Sequence, residues 1–119
     1  MILEVALLPV RAGHEAAFEA AFLQAQAIIS SMPGYLGHEL QRCVERTSEY
    51  LLLVRWRTLE DHEVGFRQAP QYQDWRALLH HFYDPVPTVS HYAVVAGADG
   101  EQGDFKDHGD LRGRILARH

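Results

Sequence analysis

The 119-residue sequence predicts a single α+β domain with the order β-α-β-β-α-β, ferredoxin-like in its split connectivity, with the second helix broken in two. Three observations carry that prediction. Apolar residues recur at steps of three and four in two well-separated segments, which is the period of a helix with one buried face. Four short stretches are apolar and β-prone, as strands are. Turn residues punctuate the junctions between these segments.

The first strand is Ile2–Val10, an apolar run with Pro9 near its end. Phe18, Phe22, Ala25, Ile29 and Met32 then place one apolar stripe on a helix over about 14–31. Pro33 and Gly34 end it, because the residue before a proline avoids helical geometry and glycine permits a tight turn. Residues 35–45 alternate, with His38, Leu40 and Arg42 on one face and Glu39, Gln41 and Cys43 on the other. They pair with the β-prone 50–56 as a hairpin. Thr58 and Asp61 have the spacing of a capping box, which opens a short helix over about 59–67. Pro70 starts the next helix, where its missing N–H costs nothing. Tyr72, Trp75, Leu79 and Phe82 are that helix's stripe, and Asp84-Pro85 stops it. The last strand is expected over 86–95.

The domain is therefore read as 1–95. Residues 96–119 hold five of the nine glycines and few apolar residues before Leu111, Ile115 and Leu116, which predicts a flexible tail with a short helix at its end. Helices on one sheet face leave the other apolar face to be covered, and a second copy of the chain is the simplest cover.

Composition excludes several classes. With 16 acidic and 11 basic residues the net charge is −5, which gives no basic stripe for nucleic acid. No run of 18 apolar residues exists, so no membrane span is expected. The N-terminus has an acidic residue in its apolar run and no small-residue cleavage site, which argues against a signal peptide. Cys43 stands alone; it is expected to be a small buried hydrophobe in a cytoplasmic protein.

The eight histidines carry the candidate chemistry. Neighbours on a helix diverge by roughly 100°, so His80 and His81 cannot grip one metal side by side. No metal or cofactor motif is present, and none is expected. The pair suits a helix C-terminus, where a histidine can bond the last carbonyls. His62 is the stronger candidate base. It shares a predicted helix face with Gly65, and glycine inside a helix costs about 1 kcal/mol relative to alanine. That cost is tolerated where a side chain would fill a ligand space. Trp56 and Trp75 are expected in the core, and His38 and His91 as satisfied strand residues.

The segment from Tyr50 to Trp75 resembles the antibiotic biosynthesis monooxygenase domain family. The resemblance rests on Arg55-Trp56 closing a strand, on the Thr-Leu-Glu-Asp helix start at 58–61 and on Ala69-Pro70 followed by Tyr72. Residues 31–40, SMPGYLGHEL, are similar to the family's Pro-Gly-led second strand. The resemblance spans residues 1–95. It implies a dimeric α+β barrel and activities that include cofactor-free oxygenation of phenols or quinols. In the haem-degrading branch, an Asn, a Trp and an axial His would fall at Ala6, Gly65 and Trp75, so haem degradation is not expected.

The sequence thus leads to a cofactor-independent monooxygenase of a small aromatic or quinol-like compound, with O2 as co-substrate. His62 is the expected base and His38 and Tyr72 the orienting groups. Gly65, Phe66, Trp75, His80 and His81 are expected around the substrate. A non-catalytic binding or structural dimer module of the same fold is the alternative.

Overall fold

The computed structural model describes residues 1–99. Its elements run β1 (Ile2–Pro9), α1 (Glu15–Ser30), β2 (Tyr35–Arg42), β3 (Glu49–Trp56), a π-helical segment (Asp61–Phe66), α2 (Pro70–Leu79), a 3-10 turn (His80–Phe82) and β4 (Thr88–Tyr92). The four strands form one antiparallel sheet in the order β2-β3-β1-β4. This is the predicted ferredoxin-like α+β fold with its second helix interrupted, and the sheet is open. The expected tail falls largely outside the described residues, and Leu111, Ile115 and Leu116 lie wholly beyond them.

Strand parity decides which side chains enter the core. From β1, Glu4, Ala6 and Leu8 are buried toward the helices, and from β3, Tyr50, Leu52, Val54 and Trp56 join them. α1 closes over this face with Phe18, Phe22, Ala25 and Ile29, the stripe its sequence spacing predicts. Phe18 is fully buried amid the rings of Phe22, Tyr50, Phe82 and Tyr83, at centroid distances of 6.1, 4.8, 5.8 and 5.8 Å. The opposite sheet face carries a separate apolar group, Leu3 and Leu53 with Val5 and Leu51 packed beside them.

Two turns depend on glycine. Gly34 has φ +85°, and a Cβ there would collide with the carboxylate of Asp61. Gly13 has a similar φ of +89° but nothing within 4 Å. Gly34→Ala is therefore expected to cost about 2 kcal/mol or more, from left-handed strain plus displacement of Asp61, against about 1 kcal/mol for Gly13→Ala. Thermal denaturation of the two variants measures the difference, and equal losses would show that the Asp61 contact relaxes freely.

α2 begins at Pro70, as expected, but ends at Leu79 and tightens into the 3-10 turn. Its terminal carbonyls are not capped by histidine imidazoles. Arg11 takes that role: its backbone N–H donates to Phe82 O at 2.9 Å and its Nε to His81 O at 3.3 Å, while its guanidinium meets Asp84 at 3.2 Å. Cys43 also departs from expectation. It is half-buried at the hairpin end, where its sulfur accepts the Arg46 N–H at 3.3 Å. β4 is shorter than the predicted 86–95 and bonds only β1, so it is a sheet edge. No helix among the described residues is long and apolar enough to cross a membrane.

Candidate active site

Between the sheet and the π-α2 segment lies a cavity of about 150 Å³. Its floor is Glu4, Ala6, Leu8 and Leu52 from the sheet, and its walls include Phe66, Tyr72, Trp75, His80 and Tyr83. A cavity of that size elsewhere holds a benzene molecule, so one aromatic ring is the scale of ligand it accepts.

The π-helical segment determines which of its residues reach this space. The Thr58 hydroxyl accepts the Asp61 N–H at 3.2 Å, as half of the predicted capping box. The helix then widens: Arg67 N–H bonds His62 O at 3.0 Å, a step of five residues. His62 and Phe66 both turn inward and are buried at 4% and 1% exposure. Gly65 turns outward. A Cβ on it would find only the Glu60 carbonyl, at an ordinary 3.7 Å. There is accordingly no ligand space above Gly65, and the shared face expected for His62 and Gly65 holds for an α-helix but not for a π turn.

His62 stacks on Trp56, with ring centroids 5.3 Å apart and planes at 20°. Its Nδ1 is hydrogen-bonded, and its Nε2 has a carboxylate oxygen nearby. Nε2 lies 3.3 Å from Glu4 Oε1, and Nδ1 lies 2.8 Å from His91 Nε2. The Trp56 indole N–H donates to the same Glu4 oxygen at 2.9 Å. The register that pairs Glu4 with His91 across β1 and β4 puts both on the helix-facing side of the sheet.

Burial raises the Glu4 carboxyl to about 7, opposed by the Trp56 hydrogen bond and by Arg67. Burial likewise lowers His62 to about 4, helped by His91 and Arg67. Although the 3.3 Å separation would admit an ion pair, desolvation favours the neutral form of both partners. At neutral pH the site therefore holds a neutral imidazole beside a carboxyl poised near half-protonation.

The other expected site residues divide. Tyr72, Phe66, Trp75 and His80 line the cavity. His80 is lowered from the usual histidine value, by burial first and then by Arg76 and Arg67. His38 does not reach the cavity: it bonds Tyr35 Oη at 2.5 Å and Gln26 Oε1 at 2.9 Å in a separate shallow depression beside α1. His81 is exposed, its ring 4.2 Å from that of Phe82. Adjacent residues in a helical turn diverge, so only one of the two histidines can face inward. Glu4, Arg67 and Tyr83 are not among the site residues expected from sequence. Glu4 is detectable in principle, since it is the charged member of the buried i, i+2, i+4 set Glu4-Ala6-Leu8. No group of three or more potential metal ligands occurs among the described residues.

A ferredoxin-like domain with a small aromatic-walled cavity over a buried carboxyl-imidazole pair is thus the class that fold and site define. The chain belongs to the antibiotic biosynthesis monooxygenase family, whose model matches residues 1–78. Monooxygenase activity is accordingly assigned at family level. The chain is 55% identical over 95 residues to the uncharacterised protein YczJ of Bacillus subtilis (strain 168), covering 80% of this chain and all of that one. A candidate antibiotic biosynthesis monooxygenase from Bordetella bronchiseptica is 37% identical and superposes with a TM-score of 0.77, over 80% of this chain and 97% of its own. SnoaB, a cofactor-independent oxygenase from Streptomyces nogalater, superposes with a TM-score of 0.70 over 80% of this chain and 93% of its own. At 18% identity that likeness concerns the fold alone.

Proposed function

We propose that the domain is a cofactor-independent monooxygenase acting on a single-ring hydroquinone-like compound in the cavity between sheet and helices. The observation that carries this reading is Glu4. It is a cavity-lining carboxyl held by Trp56 and His62, raised to about 7, where a general base works well at neutral pH. His62 is bonded to His91 through Nδ1 and is lowered to about 4 by burial, so the base expected there moves to its neighbour, with His62 as a positioning residue. Glu4 Oε1 accepts the Trp56 N–H and has His62 Nε2 3.3 Å away, while Oε2 has no hydrogen-bond partner among the described residues. Oε2 is the atom assigned to the substrate.

Loss of a phenolic proton to Glu4 makes the ring a good electron donor to O2. One-electron transfer gives a phenoxyl radical and superoxide, which combine at a ring carbon as a peroxide anion, and Glu4 returns its proton to that anion to give the hydroperoxide. Elimination of water from that carbon leaves a new carbonyl. For hydroquinone, one O2 is consumed per ring: one oxygen atom stays on the hydroxyquinone product and the other leaves as water. The substrate gives up two hydrogens to that water and supplies all four electrons. Phe66 and Trp75 hold the ring, and Tyr72 and His80 orient its second oxygen. His38, Gly65 and His81 take no part, because they stand outside the cavity.

An oxygen electrode with a panel of hydroquinones and bicyclic quinols tests the proposal. Uptake equimolar with a hydroxyquinone product, strongest for single-ring compounds, is the expected result. No uptake with any of them would leave a binding module of the same fold.

The working unit is proposed as a homodimer, in the cytoplasm, built on residues 1–95. Leu3, Val5, Leu51 and Leu53 form an apolar group on the sheet face opposite the helices, with Leu3 and Leu53 buried, Val5 and Leu51 half-buried, and Leu7 beside them 38% exposed. A second copy seated there should bury on the order of 2,000 Å² or more. Light scattering at low micromolar concentration is expected to give twice the chain mass, and Leu7→Arg to shift it toward the monomer. A monomer mass for the unaltered protein would remove the barrel.

A further inference from the structure

Among the described residues, Arg11, Arg42, Arg46 and Arg57 are each held by a carboxylate. Arg67 and Arg76 are exposed and stand in no such pair, although the chain is acidic overall, with a formal net charge of −5. Both belong to the rim of the active-site cavity. Arg67 follows the π segment and lines the cavity, and its guanidinium lies over the Tyr72 ring, 5.9 Å from the centroid. Tyr72, Arg76 and His80 follow one another at steps of four, so they share one side of α2 and the turn that continues it. Tyr72 and His80 line the cavity, which puts Arg76 between them at its edge. Both guanidiniums act on His80, whose imidazole is held below the usual histidine value by burial first and then by Arg76 and Arg67. His80 thus meets a ligand uncharged, and the two arginines supply the positive charge.

We propose that Arg67 and Arg76 receive a carboxylate of the substrate, which makes the substrate class a single-ring hydroquinone carboxylic acid. The proposal deepens the reading of the cavity as an oxygenase site and rests on it. The ring enters the cavity with the hydroxyl farther from the acid directed at Glu4 on the floor. The acid group stays at the rim, where it keeps part of its hydration and a planar guanidinium can bond both of its oxygens. Placed deeper, it would be desolvated among Ala6, Leu8 and Leu52 and would repel the ionised form of Glu4. The ring therefore separates the two carboxyl groups, one serving as base and the other as handle. No bond to the handle is made or broken in the reaction.

Probes of one shape and different charge test the rim without turnover. Benzoate, benzamide and benzamidine are negative, neutral and positive at neutral pH. NMR titration of the full chain at low salt should rank benzoate tightest, about tenfold ahead of benzamide, with benzamidine weakest. Added salt should shrink the ratio of benzoate to benzamide affinity, because the rim is exposed. Combining Arg67→Gln with Arg76→Gln should bring that ratio close to one, and the two lysine substitutions should keep part of it. Equal affinities in the unaltered protein, no binding of benzoate at millimolar concentration, or a preference that survives both glutamines would overturn the proposal. Oxygen uptake supplies the second test. Gentisate, a carboxylated hydroquinone, should show a KM about tenfold below that of hydroquinone, and an equal or higher KM would remove the acid from the substrate. If neither compound consumes oxygen, the oxygenase reading fails, and the probe titration still decides whether the rim binds an acid.

Discussion

Glu4→Gln is expected to lower oxygen consumption with a hydroquinone by about 100-fold or more, the scale of losing a general base. The same change should make the protein more stable in alkaline solution. An amide keeps the acceptor for the Trp56 indole but cannot ionise. The Glu4 carboxyl titrates at about 7 in the fold, against an ordinary value of 4.5. A raised carboxyl means that the folded chain holds the proton more tightly. Its stabilising effect is complete below about pH 4.5 and is lost as pH rises through 7. His62 runs the other way: depressed to about 4, it contributes stability that is present above 6.5 and lost as pH falls toward 4. The variant lacks the first slope, so relative to the unaltered protein it should gain on the order of 3 kcal/mol or less between pH 5 and pH 8. Denaturant unfolding at the two pH values measures that gain. Full activity in Glu4→Gln would show that the base lies elsewhere; lost activity with no pH-dependent gain would show that Glu4 is not held protonated.

Phe18→Ala is expected to have the largest effect on stability, about 3–5 kcal/mol. Phe18 is fully buried and touches four other aromatic rings from α1, β3 and the segment after α2. Edge-to-face contacts add to the area it buries, and the cavity left behind has rigid walls that cannot collapse. For a domain of about 100 residues such a loss lowers the melting temperature by roughly 15–30 °C. Tyr83 both meets Phe18 and lines the active-site cavity, so any folded fraction should also bind a single-ring ligand more weakly. Calorimetry, or thermal unfolding followed by circular dichroism, provides the measurement. A fall of only a few degrees would mean that the aromatic cluster repacks.

Much of the architecture is legible in the residues themselves. The spacing of Phe18, Phe22, Ala25 and Ile29 can be satisfied only by a helix with one buried face, and that helix forms over Glu15–Ser30. Pro70 marks the start of α2, because a proline is tolerated there and not a turn later. The site is legible only in part. Tyr72, Trp75 and Phe66 can be read from their stripe, and His62 stands out, though for a reason that fails. Its pairing with Gly65 assumes 3.6 residues per turn, and the five-residue hydrogen bonding of the π segment, which includes Arg67 to His62, rotates Gly65 out to solvent. Local sequence does not specify that extra residue, since it arises from seating His62 and Phe66 on the same sheet.

The sequence by itself determined the order of elements, the helix faces and the turn positions, because each follows from forces between residues close in the chain. Tertiary structure alone decided the chemistry. Glu4, Trp56, His62 and His91 come from four separate elements, and only strand register and the π turn bring them within hydrogen-bond reach. Burial then shifts the carboxyl and the imidazole in opposite directions, and burial is a property of the folded chain that no short stretch of sequence contains.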